Sequence, residues 1–275
     1  MPRLLLSHLL LLFVLLGTVC ACASGKATLP EEKTVTELYT EATALMSQKD
    51  YKEAAHRFQE VERQHPYSLW ATRAQLMAAY AQYQDMDYDA AISALDQYIQ
   101  LHPSSDNIAY AYYLRGLCSY ERIADVRRDQ GHTHHALNEL QTIIRRFPET
   151  SYAKDAVLKI ALINDHLAGA EMEIGRNYLA QKLYTAAIGR FRTVIEKYQT
   201  TSHVPEALHR LVEGYIILGI KDEAQATAVV LGHNFPGSPW YQDSYNLLIK
   251  NNIEPKPNNK SEHKSWVNGV WRDLF

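Results

Sequence analysis

Apolar positions along this chain fall into a frame that returns five times. In Tyr51–Pro66 an aromatic opens it, Ala54 follows at +3, Phe58 at +7 and Val61 at +10, and proline closes it at +15. The later copies run Tyr88, Ala91, Leu95, Tyr98, Pro103; Thr133, Ala136, Leu140, Ile143, Pro148; Tyr184, Ala187, Phe191, Val194, Gln199; and Lys221, Ala224, Ala228, Leu231, Pro236. Steps of three and four residues place these side chains on one face of an α-helix. Alanine at +3 lets a neighbouring helix come close, and the larger residue at +7 fills the next gap. Proline cannot continue the helix and ends each unit. The polar residues that follow (Ser68, Ser104, Ser105, Thr150, Ser151, Thr201, Ser202 and Ser238) suit the N-cap of the next helix.

A partner helix with a small residue at its crossing point precedes each copy: Ala42, Ala79, Gly116, Gly175 and Gly214. The first two partners are predicted over about residues 36–48 and 69–85. One helix cannot bury its own stripe, whereas pairs stacked in series can. The pattern predicts an all-α fold, a tetratricopeptide-repeat solenoid of five helix pairs in a right-handed superhelix. The intervals between copies are uneven: 37 residues (51 to 88), 45 (88 to 133), 51 (133 to 184) and 37 (184 to 221). Simple repeats of this class recur every ~34 residues. Residues 153–181 lack proline and keep apolar positions at Val157, Ile160, Ala161, Ile163, Leu167, Ala170, Ile174, Tyr178 and Leu179, which predicts a helix that overshoots its repeat. The polar stretch 122–132 is predicted as a loop.

The two ends differ from this body. Residues 1–21 read as a lipoprotein signal peptide, with Arg3 ahead of an apolar run from Leu4 to Leu16 that is short for a membrane span. Val19-Cys20-Ala21-Cys22 resembles a bacterial lipobox, with an aliphatic residue three places before Cys22 and a small one immediately before it. That resemblance implies cleavage before Cys22 and acyl chains on its thiol, a durable anchor at about 0.8 kcal/mol per buried CH₂. Ala23 and Ser24 follow, which by resemblance to bacterial lipoproteins favours the outer membrane. Residues 22–33 are small, polar and charged and read as a tether, 34–250 as the solenoid, and 251–275 as a tail. In the tail, Trp266, Val267, Val270, Trp271 and Leu274 fall at helical spacing. Such a segment suits docking on a partner, the membrane interface or the last repeat, with docking on protein preferred because its polar face lacks the several lysines of a membrane-surface helix.

Composition narrows the function. A formal charge of −3 opposes general nucleic-acid binding, which wants a basic face. Eighteen tyrosines against six phenylalanines suit surfaces that are apolar yet tolerate water. Cys20, Cys22 and Cys118 give neither a disulfide framework nor a paired metal knuckle, and Cys118 sits among Leu114, Leu117 and Tyr120 as a small buried hydrophobe. His132, His134 and His135 cluster without a cysteine to complete a site and give poor ligand geometry, so no metal and no cofactor is expected. No nucleophile elbow, zinc-protease helix or phosphate loop occurs, and the carboxylates form no acid/base pair; the chain is not expected to be an enzyme.

Several stretches resemble one family closely. His102-Pro103 followed by Ala109-Tyr110-Ala111-Tyr112-Tyr113-Leu114-Arg115-Gly116-Leu117, then Arg128-Asp129-Gln130, then Ala186-Ala187-Ile188-Gly189-Arg190-Phe191, with five repeats behind a lipobox, are similar to the BamD family, the lipoprotein component of the outer-membrane β-barrel assembly machine. The resemblance spans about residues 20–250; Gln199 departs from the family's proline. It implies a scaffold on the periplasmic face of the outer membrane, held by lipid through Cys22. Its C-terminal repeats would dock the barrel-assembly subunit beside the other lipoproteins of that complex, and its N-terminal repeats would receive unfolded barrel proteins through their C-terminal signal.

For an extended peptide ending in an aromatic and a carboxylate, the candidate residues are Tyr39, Tyr67, Trp70, Arg73, Tyr80 and Tyr83. Inter-helix packing competes with that role for each tyrosine, most strongly for Tyr80. Tyr67, just past a helix-ending proline, has the fewest packing demands. For docking, the candidates are Arg190, Arg192, Lys197 and His209; Arg190 adjoins the buried stripe and can bury its stem while presenting its head. Two rival readings are a free periplasmic adaptor of envelope or peptidoglycan synthesis and a pilotin-like escort of secretin subunits. The second predicts a regular short period, which the intervals of 45 and 51 residues oppose.

Overall fold

The computed structural model describes residues 32–255. The signal segment, Cys22, most of the tether and the end of the tail lie outside the described residues. Those described form eleven α-helices and no strand. In chain order they are α1 (Val35–Ser47), α2 (Tyr51–Gln64), α3 (Leu69–Gln84), α4 (Tyr88–Leu101), α5 (Ile108–Tyr120), α6 (Gly131–Arg146), α7 (Ser151–Ala180), α8 (Tyr184–Lys197), α9 (Val204–Ile217), α10 (Lys221–Asn234) and α11 (Pro239–Lys250).

The repeating frame maps directly onto α2, α4, α6, α8 and α10. Four of these open on the residue that opens the frame, and α6 starts two residues before Thr133. Every residue at +3, +7 and +10 is at most 3 % exposed. Local chemistry fixes the boundaries. Asp50 and Asp87 take the N–H of Glu53 and Ala90, and Ser68, Thr150 and Ser238 cap α3, α7 and α11 through their hydroxyls. Two expected caps are displaced. A short turn intervenes after each proline-like stop, so α5 begins after Asn107 and α9 after His203, neither giving a side-chain cap. Ser105 takes the N–H of Asn107, and Thr201 donates to the Tyr198 carbonyl.

The small residues sit where helices cross. A Cβ on Gly175 would lie 2.5 Å from Phe191 Cε1, one on Gly214 2.9 Å from Ile188 Cγ1, and one on Gly116 3.2 Å from Leu140 Cδ2. Ala42 and Ala79 are fully buried. Each helix packs on its neighbours in sequence. Helices two apart pack substantially on one side only: the first members of successive pairs, α1 on α3, α3 on α5 and α5 on α7, and then α9 on the terminal α11. The stack therefore closes on the side of the first helices, which line its inner face.

Two features depart from the plain repeat. Helix α7 spans 30 residues, the overshoot expected from the 51-residue interval. The turn into α9 meets it at Asp165, which accepts from Ser202, and Arg176 donates to Glu206 of α9. The first turns of α7 have no following repeat against them, which leaves Val157, Leu158 and Leu162 more than half exposed. Helix α11 lies outside the five pairs and packs on both α9 and α10 as a terminal cap.

Repeats two and three are tied by Arg115 of α5. It donates to Glu139 of α6 at 3.0 and 2.6 Å and to Asp96 of α4 at 2.5 Å, and its guanidinium lies 5.2 Å from the Tyr112 ring centroid. Removing it strands the largely buried Glu139 carboxylate. Arg115→Ala is expected to cost about 3 kcal/mol, read as a lower urea midpoint; a midpoint unchanged from the parent would refute the tie.

Candidate functional site

At the start of α3 the chain turns out of Pro66 and exposes Tyr67 fully, Leu69 at 91 % and Trp70 at 41 %. The end of α4 brings Leu101, also exposed, to the same place. Leu69, Trp70 and Leu101, with Thr72, Arg73, Tyr98, His102 and the loop 104–107, line a cleft of about 650 Å³. The polar parts of its lining are fixed. Tyr98 Oη and Ser105 Oγ share a hydrogen bond at 2.7 Å, and His102 Nε2 meets Gln75 Oε1 at 2.7 Å. Trp70 is held from behind by Tyr39, whose ring lies 4.8 Å from it edge-on and 5.3 Å from Phe58. Arg73 lies 5.7 Å over the Trp70 ring. Two helix N-termini, of α3 and α5, open into the cleft. Their orientation favours negative charge, offset on the rim by Asp106.

The six residues singled out for peptide contact therefore separate. Trp70 and Arg73 line the cleft, Tyr39 backs Trp70, and Tyr67 stands fully exposed on the turn before α3, outside the lining. Tyr80 and Tyr83 do not reach it. They pack on the core of repeat two, where Tyr83 donates to Glu121 at 3.3 Å and its ring lies 5.9 Å from Tyr88. Burial first, then the Glu121 carboxylate, raises the Tyr83 phenol above its ordinary pKa. They begin a row of tyrosines along the first helices. Tyr110 and Tyr113 both lie within 6 Å of Tyr152, and Tyr113 donates to Asp155. Leu69 and Leu101 were missed in the sequence because their helical register looks ordinary; only the bend at Pro66 and the end of α4 put them on one surface.

At the other end, Arg190 of α8 donates to Glu171 of α7 at 3.1 Å, a contact that raises its already high pKa. Arg192 meets Glu196 at 3.5 Å, and Lys197 is exposed in the last turn of α8. A docking role for His209 is corrected. Its ring is buried, Nδ1 shares a hydrogen bond with Ser244 at 2.9 Å, and Trp240 lies 5.3 Å away. The reason is α11, which covers the face of α9 that five pairs alone would leave open. Beside it, Arg176, Glu206, Arg210 and Glu213 form a chain of ion pairs, with Arg210 5.4 Å over Trp240.

Burial is the largest influence on the His209 ring and lowers its pKa below 6.5, against the opposing pull of Glu213, Asp243 and Glu206 and with Arg210. The unfolded chain thus takes up this proton at a higher pH than the folded one. The stability this gives is present above about pH 6.5 and is lost as the pH falls below it. His209→Gln is expected to flatten the fall in melting temperature between pH 7.5 and pH 5.5. A parallel fall in parent and variant would assign it to other groups.

The remaining reactive side chains are quiet. Burial pushes the Cys118 thiol up to about 12, so it stays protonated. His135 Nδ1 shares a 3.2 Å hydrogen bond with Ser119, and among the described residues no group of three His, Cys, Asp or Glu could hold a metal ion. No described helix is long and apolar enough to cross a membrane.

A family model described as YfiO, outer membrane lipoprotein, matches residues 31–231. The outer membrane protein assembly factor BamD of Caulobacter vibrioides is 48 % identical over 243 residues, covering 87 % of this chain and 79 % of that one. The same factor from Rickettsia prowazekii is 45 % identical over 244 residues, 89 % of this chain and 96 % of that one. That of Neisseria meningitidis serogroup A is 32 % identical over 247 residues, with 84 % and 92 % covered. The YfiO match and this degree of identity over nearly the whole repeat body mean that the chain belongs to the outer membrane lipoprotein family of the BamD assembly factors.

Proposed function

We propose that this protein is a lipid-anchored scaffold of the outer-membrane β-barrel assembly machinery, facing the periplasm, and works by binding rather than catalysis. The observation that carries the reading is membership of a family whose relatives bear the name of assembly factor. The cleft of repeats one and two takes the C-terminal end of an unfolded barrel protein. Tyr67, Leu69, Trp70 and Leu101 receive an aromatic side chain, while Arg73 and the two helix N-termini receive the carboxylate. The C-terminal repeats dock the barrel-assembly subunit through Arg190, Arg192 and Lys197, and the bare aliphatic face of α7 enlarges that surface. Lipid chains on Cys22 hold the whole at the membrane.

Capture of the intact, lipidated protein from outer membranes, with identification of what comes with it, tests the proposal. A barrel-family subunit and companion lipoproteins are expected. Their absence, with peptidoglycan enzymes or secretin subunits in their place, would overturn it in favour of an adaptor or an escort. Cys22→Ser is expected to shift the protein to the soluble periplasmic fraction, and unchanged membrane retention would remove the anchor from the proposal.

A further inference from the structure

The turns joining the two helices of each pair change character along the solenoid. In repeats one and two the second helix is capped by Asp50 and Asp87, each taking a backbone N–H. In repeats four and five the same position is Leu183 and Ile220, and neither helix has a side-chain cap. Leucine and isoleucine are among the residues least suited to an N-cap, since they offer no acceptor. They are also far from buried, at 49 % and 43 %, so they are not there to fill the core. Beside them Ile217 and Leu218 are 53 % and 41 % exposed.

The last helix adds to the same edge. Because successive helices run antiparallel, α9 and α11 end on the side where α10 begins. There α11 leaves Ile249 52 % exposed. A solenoid's terminal helix ordinarily turns a polar face outward to stay soluble. This edge instead exposes five large aliphatic residues over the last two repeats, set among Lys182, Lys221, Asp222 and Lys250.

The chain leaves the described body at this edge. Ile253 is buried in the core of the last repeats, and Gln225, near the start of α10, donates to the Glu254 carbonyl at 2.6 Å. The sequence continues with 256–264, KPNNKSEHK, and then with the segment that spaces Trp266, Val267, Val270, Trp271 and Leu274 as on one helix face. Nine residues reach at most about 30 Å, and neighbouring helices stand 8–10 Å apart, so the whole edge is within range.

We propose that the C-terminal segment 265–275 lays its Trp266–Leu274 stripe on the aliphatic edge formed by Leu183, Ile217, Leu218, Ile220 and Ile249. A tether this short holds the segment near the edge at an effective concentration in the millimolar range. The aliphatic residues at the two cap positions are the acceptors of that segment, kept at the expense of the local cap.

The test uses the full chain bearing Cys22→Ser and labelled with fluorotryptophan, read by ¹⁹F NMR. Its four tryptophans are Trp70, Trp240, Trp266 and Trp271, and Trp266→Phe and Trp271→Phe assign the last two. Both tail signals are expected away from their positions in the isolated peptide 256–275. Leu183→Asp with Ile220→Asp should return them to those positions while Trp70 and Trp240 stay in place, showing an intact body. The same pair should lower the melting temperature. On a bare edge it would raise it, by restoring the aspartate caps of repeats one and two. Tail signals at the peptide positions in the parent chain overturn the proposal, including the case where they move only on adding phosphatidylethanolamine–phosphatidylglycerol vesicles. So does a melting temperature raised by the paired substitution.

Discussion

Phe191→Ala is expected to destabilise the protein by about 3–5 kcal/mol, the usual cost of emptying a fully buried aromatic site. Phe191 is the +7 residue of the fourth frame and is wholly buried. It reaches Gly175 on α7 so closely that a Cβ there would meet its ring at 2.5, 2.8 and 3.0 Å. Gly175→Ala therefore overpacks the same contact and is expected to cost about 1–3 kcal/mol, despite alanine's better helix propensity. The two effects share one space, so they should not add. Gly175→Ala combined with Phe191→Leu is expected to lose less than the sum of the separate losses. Repeat stability is nearly a sum of local terms, so the weakening should appear first as faster amide exchange in α7, α8 and α9. Equal costs in the pair and in the sum, or loss of protection confined to repeats one and two, would refute this account of the crossing.

That crossing shows why so much of the fold was legible. A helix pair fixes its register by a few contacts local in sequence, so small residues in one helix and the +3, +7 and +10 residues in the next carry the geometry. The overshoot of α7 could be read the same way, from an interval too long for one pair. What the sequence pattern hid was everything that depends on neighbours distant in the chain. His209 looked like a free surface residue because Ser238 announces a further helix but nothing in the frame shows that this helix, α11, packs on α9 and buries it. Val157 and Ala161 looked like packing positions, and the structure leaves them exposed because α9 joins α7 too late to cover them. Among the tyrosines, the proline ahead of Tyr67 already marked it as the one with fewest packing demands, while helical spacing alone left Tyr83 among the candidates although it packs on repeat two.

Tyr67, two residues before Leu69 of the cleft, is fully exposed, so its loss disturbs no packing. Trp70 combines exposure with support from Tyr39 and Arg73, the arrangement in which a few aromatic and arginine anchors carry most of an interface's energy. For a synthetic peptide ending in phenylalanine with a free carboxylate, Trp70→Ala is expected to weaken binding by about 2 kcal/mol or more, roughly 30-fold. Tyr67→Ala should cost less, about 1 kcal/mol, and leave the melting temperature unchanged. Arg73→Gln should cost a few-fold, as befits an exposed cation supplemented by helix N-termini. The chemistry is separable by a cycle. Amidating the peptide's C-terminus should weaken its binding to the parent protein, and should weaken it distinctly less in Arg73→Gln, where the charge has lost its partner. Arg190→Glu, at the far end of the solenoid, should leave all of these affinities alone while reducing capture of the barrel-assembly subunit. If Trp70→Ala and Tyr67→Ala both bind the peptide like the parent, the cleft is not the receiving site. If amidation costs the same with and without Arg73, the carboxylate is read elsewhere, and the tyrosine row of α3, α5 and α7 becomes the next surface to test.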